Sequence, residues 1–480
     1  MKRFNSAFCA TSITLLLLLC ISTPASAAEG TAEGLTPEQV LSSLVKIIVQ
    51  SNPVDLLSPW QNQGVKGFQG SGVIIDGNRI LTAAHVIEDA VSIEVKRQGQ
   101  TRKYEAEVSI IGDESDLAIL TVSEPNFFKD AVPIPLGKTP KIEDAVKAYG
   151  FPEGGDSVSA TSGIVSRIEL SSYVHSWRKL LIVQIDAAIN DGNSGGPIVS
   201  EGKLAGIAMQ TLTEAENIGY IIPAAVIDHF LQDVKDGNFD GFPRMGITIQ
   251  SVENKAQREN YGLAGEETGV LVTAVSFGSS AYGVLQKEDI LLEIDGVIIA
   301  EDKTVKVDDI GRIGLSYKVQ SRQVGESVSL KVLRDGKRLI RKVKLKNTPN
   351  LVPGNFNNNN KTYFIIGGLV FQPATIMYGF YSEYNFDESD WRTLEMSYYT
   401  YFHNLRTKKR DQLILLSKVL PASINRGYRN MRPMIVTSVQ GQFPKDMKHL
   451  VRIIEKSRDP HLKIITETGE IVIIDLERAR

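Results

Sequence analysis

The chain has 480 residues, 42% hydrophobic and 23% charged, with a formal charge of −3. That length is too great for one hydrophobic core and predicts about three domains. The composition excludes a disordered chain, and with no dense basic block nucleic acid is excluded as a partner. At the N-terminus Lys2 and Arg3 precede an apolar run from Ile13 to Ile21, followed by the small residues Ala25-Ser26-Ala27. This pattern predicts a secretory signal over residues 1–27, cut before Ala28 and directing the protein to the periplasm. The run is short for a bilayer span, and no later stretch reads as a membrane helix. Both cysteines, Cys9 and Cys20, fall in this segment, so the processed chain would form no disulfide and rely on packed cores.

Thr36-Pro37-Glu38-Gln39 predicts a capped helix start. Short apolar runs then follow at Val45–Val49, Gly72–Ile75, Val91–Val95, Leu117–Val122, Leu180–Ile185 and Leu204–Met209. Many short strands between turn residues predict a barrel or sandwich over residues 35–240. Asp76-Gly77-Asn78 has hairpin-turn chemistry. An amphipathic helix is expected over Ala224–Val234, before a break at Gly237 to Pro243. Residues 243–347 read as a small β-rich module closed by a hairpin at Asp335-Gly336. Residues 348–360, with Pro349, Pro353 and four consecutive asparagines nearby, read as a linker. Residues 361–480 partly repeat the second module. They hold a helix carrying Met447, Leu450, Ile453 and Ile454, a hairpin across Thr468-Gly469, and an aromatic-rich insertion from Tyr378 to Phe402.

Three segments carry chemistry. Gly192-Asn193-Ser194-Gly195-Gly196-Pro197 sets a serine between glycines, on a turn that aims backbone N–H groups at one point. A serine hydroxyl is a poor nucleophile, so it needs a base and dipoles that hold an oxyanion. His85, in Thr82-Ala83-Ala84-His85, supplies an imidazole that changes charge near neutral pH. The acid that orients it is Asp113 or Asp116, which compete on spacing; the apolar run after Asp116 favours it as the mouth of a strand. The oxyanion hole is expected from Gly192, Asn193 and Ser194, through the N–H groups of Gly192 and Ser194. The order His, Asp, Ser is that of chymotrypsin-like proteases. His175, His229, His403, His449 and His461 read as surface or packing residues. No metal constellation stands out, and a triad needs no cofactor.

These segments, with Gly163-Ile164-Val165-Ser166 and Ile218-Gly219-Tyr220-Ile221-Ile222-Pro223, resemble the HtrA/Deg serine proteases. Val370-Phe371, Val419-Leu420-Pro421 and Asn425-Arg426-Gly427-Tyr428 resemble the plant organellar subgroup. The resemblance implies a mainly β chain: a chymotrypsin-like double β-barrel protease domain, then two β-rich α+β PDZ domains. It assigns Asp116 to the triad with His85 and Ser194. It implies ATP-independent endoproteolysis of unfolded or misfolded proteins and trimers as the minimum assembly. Ala188, Ile189 and Gly219 would line the primary specificity pocket, which suits small or medium apolar side chains. Met209, Gln210 and Thr211 would pair with the substrate backbone. Met245, Gly246 and Ile247 would hold the carboxylate of a C-terminal peptide that adds as a strand. Ser51–Phe68 is shorter than the insertion many periplasmic relatives carry there. The competing functions are a holdase with little cleavage and a PDZ scaffold with a silent triad.

Overall fold

A computed structural model describes residues 34–152, 155–190, 192–211, 218–353, 362–379, 406–431 and 433–480. The proposed signal therefore lies outside the described residues, as does most of the aromatic insertion. Helix α1 (Pro37–Ser43) starts as expected: Thr36 Oγ1 accepts from Gln39 N, and Gln39 Oε1 accepts from Thr36 N. This reciprocal pair satisfies two N–H groups that the first turn leaves open.

The first sheet holds β1 (Leu44–Ser51), β2 (Lys66–Ile75), β3 (Arg79–Ala83), β4 (Ala90–Arg97), β5 (Tyr104–Glu105), β6 (Glu107–Gly112) and β7 (Leu117–Thr121). Its order is β5-β4-β1-β2-β3-β7-β6. Only Ala106 separates the two end strands in sequence, so the sheet must wrap round until its edges meet. The second is a closed barrel of β8 (Ala145–Gly150), β9 (Ser159–Ser172), β10 (Lys179–Ile185), β11 (Pro197–Ser200), β12 (Lys203–Thr211) and β13 (Gly219–Pro223). Val146, Val165, Val183, Ile185, Ile198 and Ile221 fill it. Alternating strands bury every second β-branched side chain in that interior. Helix α2 (Ala224–Asp233) then buries Val226, Ile227 and Phe230 on one face.

The middle unit is a sheet of β14 (Ile247–Ser251), β15 (Val270–Val275), β16 (Ile290–Ile294), β17 (Val297–Ile298), β20 (Ser327–Arg334) and β21 (Lys337–Lys344), with the hairpin β18 (Thr304–Val307) and β19 (Gly311–Gly314) beside it. Helices α3 (Lys255–Tyr261) and α4 (Ser316–Gln320) complete it. Arg244 N donates to Lys346 O at 2.9 Å, tying entry to exit. Strand β14 is one of the sheet's two edges.

The last unit runs β22 (Phe364–Ile366), β23 (Leu369–Pro373), β24 (Ile414–Val419), β25 (Met434–Val439), β26 (His461–Thr466) and β27 (Ile471–Asp475) in simple sequence order. Helix α5 (Met447–Lys456) packs Leu450 and Ile454 on this sheet, and α6 (Leu476–Ala479) ends the chain. Asn425 Nδ2 donates to Gly367 O and Leu420 O, both at 2.8 Å, bracing the β22–β23 turn. On the outer strand, the Tyr428 hydroxyl accepts from Ile473 N at 3.1 Å and donates to Ile473 O.

The expected linker differs in its first residues. Leu351 and Val352 are buried with Ala374, Ile376, Tyr378 and Leu413, against Leu56 and Leu57 of the β1–β2 loop. Two apolar residues among polar neighbours give no periodic signal, yet here they close a small core. Gln372 Nε2 donates to Leu56 O at 3.0 Å and Lys418 Nζ to Ser58 Oγ at 3.0 Å, docking the last unit on the first sheet.

Candidate active site

His85 stands on the single 3-10 turn Ala84–Ile87 that follows β3, and Asp116 ends the turn Asp113–Ser115 just before β7. Because β3 and β7 are paired, with Ala83 opposite Leu117, the two residues meet at one end of the ladder. Asp116 sits in left-handed backbone at φ 53°, which its short polar side chain tolerates better than most. Its Oδ2 lies 2.8 Å from His85 Nδ1, and its Oδ1 accepts His85 N at 2.9 Å. Its backbone oxygen accepts Ala84 N. A fully buried carboxylate thus holds ring and backbone of the histidine together, with the proton on Nδ1 and Nε2 free to act as base. Asp113, the competing acid, is pushed up to about 6 by burial and by Glu114, and the carboxylate bonded to the His85 ring is that of Asp116.

Electrostatics follow from this pairing. Burial resists the His85 imidazolium, but the charge and hydrogen bond of Asp116, with Glu88, outweigh it and raise the pKa above the usual 6.5. Burial likewise resists the Asp116 carboxylate, and the His85 charge and hydrogen bonds overcome it, so Asp116 lies below the usual range. Glu88 itself is pushed up to about 8 by burial and by Asp89.

Ser194 lies between β10 and β11. Its carbonyl accepts Ser71 N at 2.9 Å, and Gly195 N and Gly196 O bond Ala208. Gly195 has φ +79°, and a Cβ there would stand 2.2 Å from Thr82 Oγ1 and 2.3 Å from Ser71 O. Only glycine lets this loop press so closely on the strands carrying His85. Asn193 N donates to Asn190 O at 2.9 Å, so in this conformation its N–H is engaged within the loop. The N–H groups of Gly192 and Ser194 have no acceptor among the described residues. The Ser194 hydroxyl makes no hydrogen bond to His85 in this conformation, so the His–Asp half is assembled and the Ser–His contact is open.

Of the expected pocket residues, Gly219 abuts Ile189: a Cβ on it would lie 2.7 Å from Ile189 Cδ1. Ala188 is exposed, and its carbonyl accepts Thr161 Oγ1 at 2.8 Å. Strand β12 pairs with β11 only up to Ile207, and its Ala208 with the Gly195–Gly196 backbone. Met209–Thr211 therefore run on past the nucleophile loop with that edge unpaired among the described residues. Met245, Gly246 and Ile247 line a groove of about 400 Å³ together with Leu291, Val319 and Arg178. It lies between β14 and α4.

One residue was misread from sequence. His175, expected to be a surface or packing residue, lies on the β9–β10 loop with its ring stacked on His85 at 4.3 Å and 7°. Burial and the neighbouring His85 push it down to about 4, so it is neutral at physiological pH. Ligand atoms of His85, Asp116 and His175 lie within 4.8 Å of one another. The rings are stacked nearly parallel, however, so one ion cannot lie in both ring planes, and Asp116 is already engaged with His85.

The trypsin-like peptidase domain family matches residues 70–207, and the PDZ domain family matches residues 352–480. Protease Do-like 4, mitochondrial, of Arabidopsis thaliana is 36% identical over 453 residues, covering 94% of this chain and 84% of that protein. The chain belongs to the HtrA/Deg family. A second HtrA/Deg relative, Protease Do-like 2, chloroplastic, of the same plant, is 34% identical over 91% of this chain and 72% of its own length. Among solved structures, an HtrA-type protease, AlgW with tripeptide, shares the fold at a TM-score of 0.51, with 23% identity over 64% of this chain and 95% of that one. This HtrA/Deg protein is a serine endopeptidase, mainly β, with a trypsin-like protease domain and a C-terminal PDZ domain.

Proposed function

We propose that the protein degrades unfolded or misfolded proteins without ATP, with Ser194 as nucleophile, His85 as base and Asp116 as the group that orients it. The observation that carries this is the two-point grip of Asp116 on His85 at the mouth of the Gly192–Pro197 loop. Ser194 Oγ attacks the scissile carbonyl, His85 Nε2 takes its proton and returns it to the leaving amine, and Asp116 stays ionised. The Gly192 and Ser194 N–H groups receive the oxyanion, each contributing on the order of 3 kcal/mol. Met209–Thr211 pair with the substrate backbone, and Ala188, Ile189 and Gly219 form a pocket with no acid to select Lys or Arg. The closed Ile189–Gly219 contact supports small or medium apolar side chains. Digestion of a generic unfolded protein by the wild type and by Ser194→Ala tests the assignment. Cleavage should vanish in the variant; equal cleavage by both refutes it, and suppressed aggregation without cleavage by either would establish a holdase.

Residues 243–347 we read as a first PDZ domain, with Met245, Gly246 and Ile247 receiving a C-terminal carboxylate. The free edge of β14 facing α4 supports this. A C-terminal peptide should bind and its amide should not; equal affinity would remove the carboxylate site. Trimer-based assembly is the expected state, to be read by light scattering, where a monomer would contradict it. Export to the periplasm rests on Lys2, Arg3 and the apolar run from Ile13. The named plant relatives are mitochondrial or chloroplastic, but a short apolar block is unlike an amphipathic, Arg-rich transit segment. Fractionation and N-terminal sequencing would show a periplasmic chain starting at Ala28, and an organellar pool would overturn this reading.

A further inference from the structure

We propose that Ser71, braced by Thr82, is a positioning residue that clamps the Gly192 and Ser194 carbonyls and so holds the nucleophile loop in the shape from which the Gly192 and Ser194 N–H groups serve the oxyanion. This rests on the reading above that Gly192 and Ser194 supply the oxyanion donors.

Ser71 lies in β2, 1% exposed, and every polar atom it has is spent around the nucleophile loop. Its N–H donates to Ser194 O at 2.9 Å. Its carbonyl accepts Thr82 Oγ1 at 2.7 Å. Phe151 N donates to Ser71 Oγ at 2.8 Å. A backbone N–H can only donate, so the Ser71 hydroxyl proton is directed elsewhere, and Gly192 O accepts it at 2.7 Å.

That last bond, with the Asn193 N–H to Asn190 O contact, fixes the 192–193 peptide at both ends. Gly192 has φ +90° and no Cβ, so rotation about its own bonds meets little steric resistance. The 192–193 peptide is planar and trans, so its carbonyl and the Asn193 N–H point opposite ways. With the carbonyl drawn inward to Ser71, the Asn193 N–H is turned to Asn190 O. With the carbonyls on both sides of Asn193 held by one residue, the loop resists shifts that would turn the Gly192 and Ser194 N–H groups away from the developing negative charge, and dipoles fixed beforehand are what make such a site effective. The Thr82 hydroxyl, on the strand that leads to His85, holds Ser71 from behind. It also presses on Gly195, whose absent Cβ would lie 2.2 Å from it.

The test compares Ser71→Ala, Thr82→Val and Ser194→Ala in the full chain, using a fluorogenic peptide and a peptide boronate. Ser43→Ala is the control. Its hydroxyl is equally buried but bonds only Val40 O in α1, so its kcat should match the wild type. Ser71→Ala should lower kcat by about tenfold to a hundredfold, less than the roughly hundredfold to thousandfold loss of an oxyanion donor itself, because the donors remain and only their support is removed. KM should hold, and the boronate inhibition constant should rise by a similar factor. The acid midpoint of the pH–rate profile should not move, because His85 and Asp116 are untouched. Thr82→Val, isosteric and without the bond to Ser71 O, should show the same signature more weakly, and it decides the matter should Ser71→Ala not fold. Unchanged kcat, unchanged boronate affinity or a moved pH midpoint overturns the proposal. If Ser194→Ala still cleaves, the underlying triad reading falls with it. If Ser194→Ala is inert while Ser71→Ala keeps its kcat, only the role of Ser71 falls.

Discussion

Asp116 does three things at His85: it fixes the ring, fixes the turn that carries it, and sets its charge. Neutral His85 is the base, and a raised pKa leaves more of it protonated at a given pH. Activity should therefore rise with pH through a midpoint above 6.5, read from the pH dependence of kcat/KM. In Asp116→Asn the charge that raises the pKa is gone and burial, which lowers it, remains. The midpoint should shift below the wild-type value, while kcat falls by about ten-thousandfold as the imidazole loses its favoured tautomer. A variant that keeps the wild-type midpoint would show that another group controls the titration.

Elements repeating a short pattern were readable from sequence. Thr36-Pro37 capped α1 as expected, and the alternating runs near Val45, Leu117 and Leu180 became β1, β7 and β10. The pairing of His85 with Asp116 was half legible: both flank strands that announce themselves, but Asp113 competed on spacing and the family resemblance made the choice. His175 was not legible: a single histidine between Val174 and Ser176 has no periodic partner, and its stacking depends on where the β9–β10 loop crosses the first sheet. Ser71 was equally hidden, since Gly70-Ser71-Gly72 reads only as the entry to a strand. Edge protection at β27 is another long-range effect. The Tyr428 hydroxyl occupies both backbone groups of Ile473, between the exposed side chains of Ile471 and Ile473. An edge strand with free N–H and C=O groups is a template for association. Tyr428→Phe should speed concentration-dependent aggregation with little loss of peptidase activity, measured by light scattering on warming. An unchanged rate would mean the edge is shielded by other means.

At the scale of the whole molecule, a largely buried carboxylate helps join the protease domain to the middle unit. Glu114, two residues before Asp116, faces Arg178 Nε and Arg244 Nη2, each at 3.4 Å, and accepts Phe242 N at 2.9 Å. Burial resists its charge, but the two guanidinium groups hold its pKa below the usual range, and burial lowers Arg178 to about 10. Ser176 Oγ donates to Glu114 O at 2.9 Å, so the loop carrying His175 hangs from the same residue. Glu114→Ala would leave two guanidinium groups facing each other in a poorly solvated seam, a change costing about 3 kcal/mol. A lowered urea midpoint would reveal it; an unaltered midpoint would show that water reaches the seam. The catalytic half is consequently not a separable cassette. A chain truncated after Asp240 would give up Phe242, Pro243 and Arg244, stranding Arg178 without the carbonyls it donates to and loosening the support beneath His175. Amputation at the visible boundary would thus injure the half that was kept.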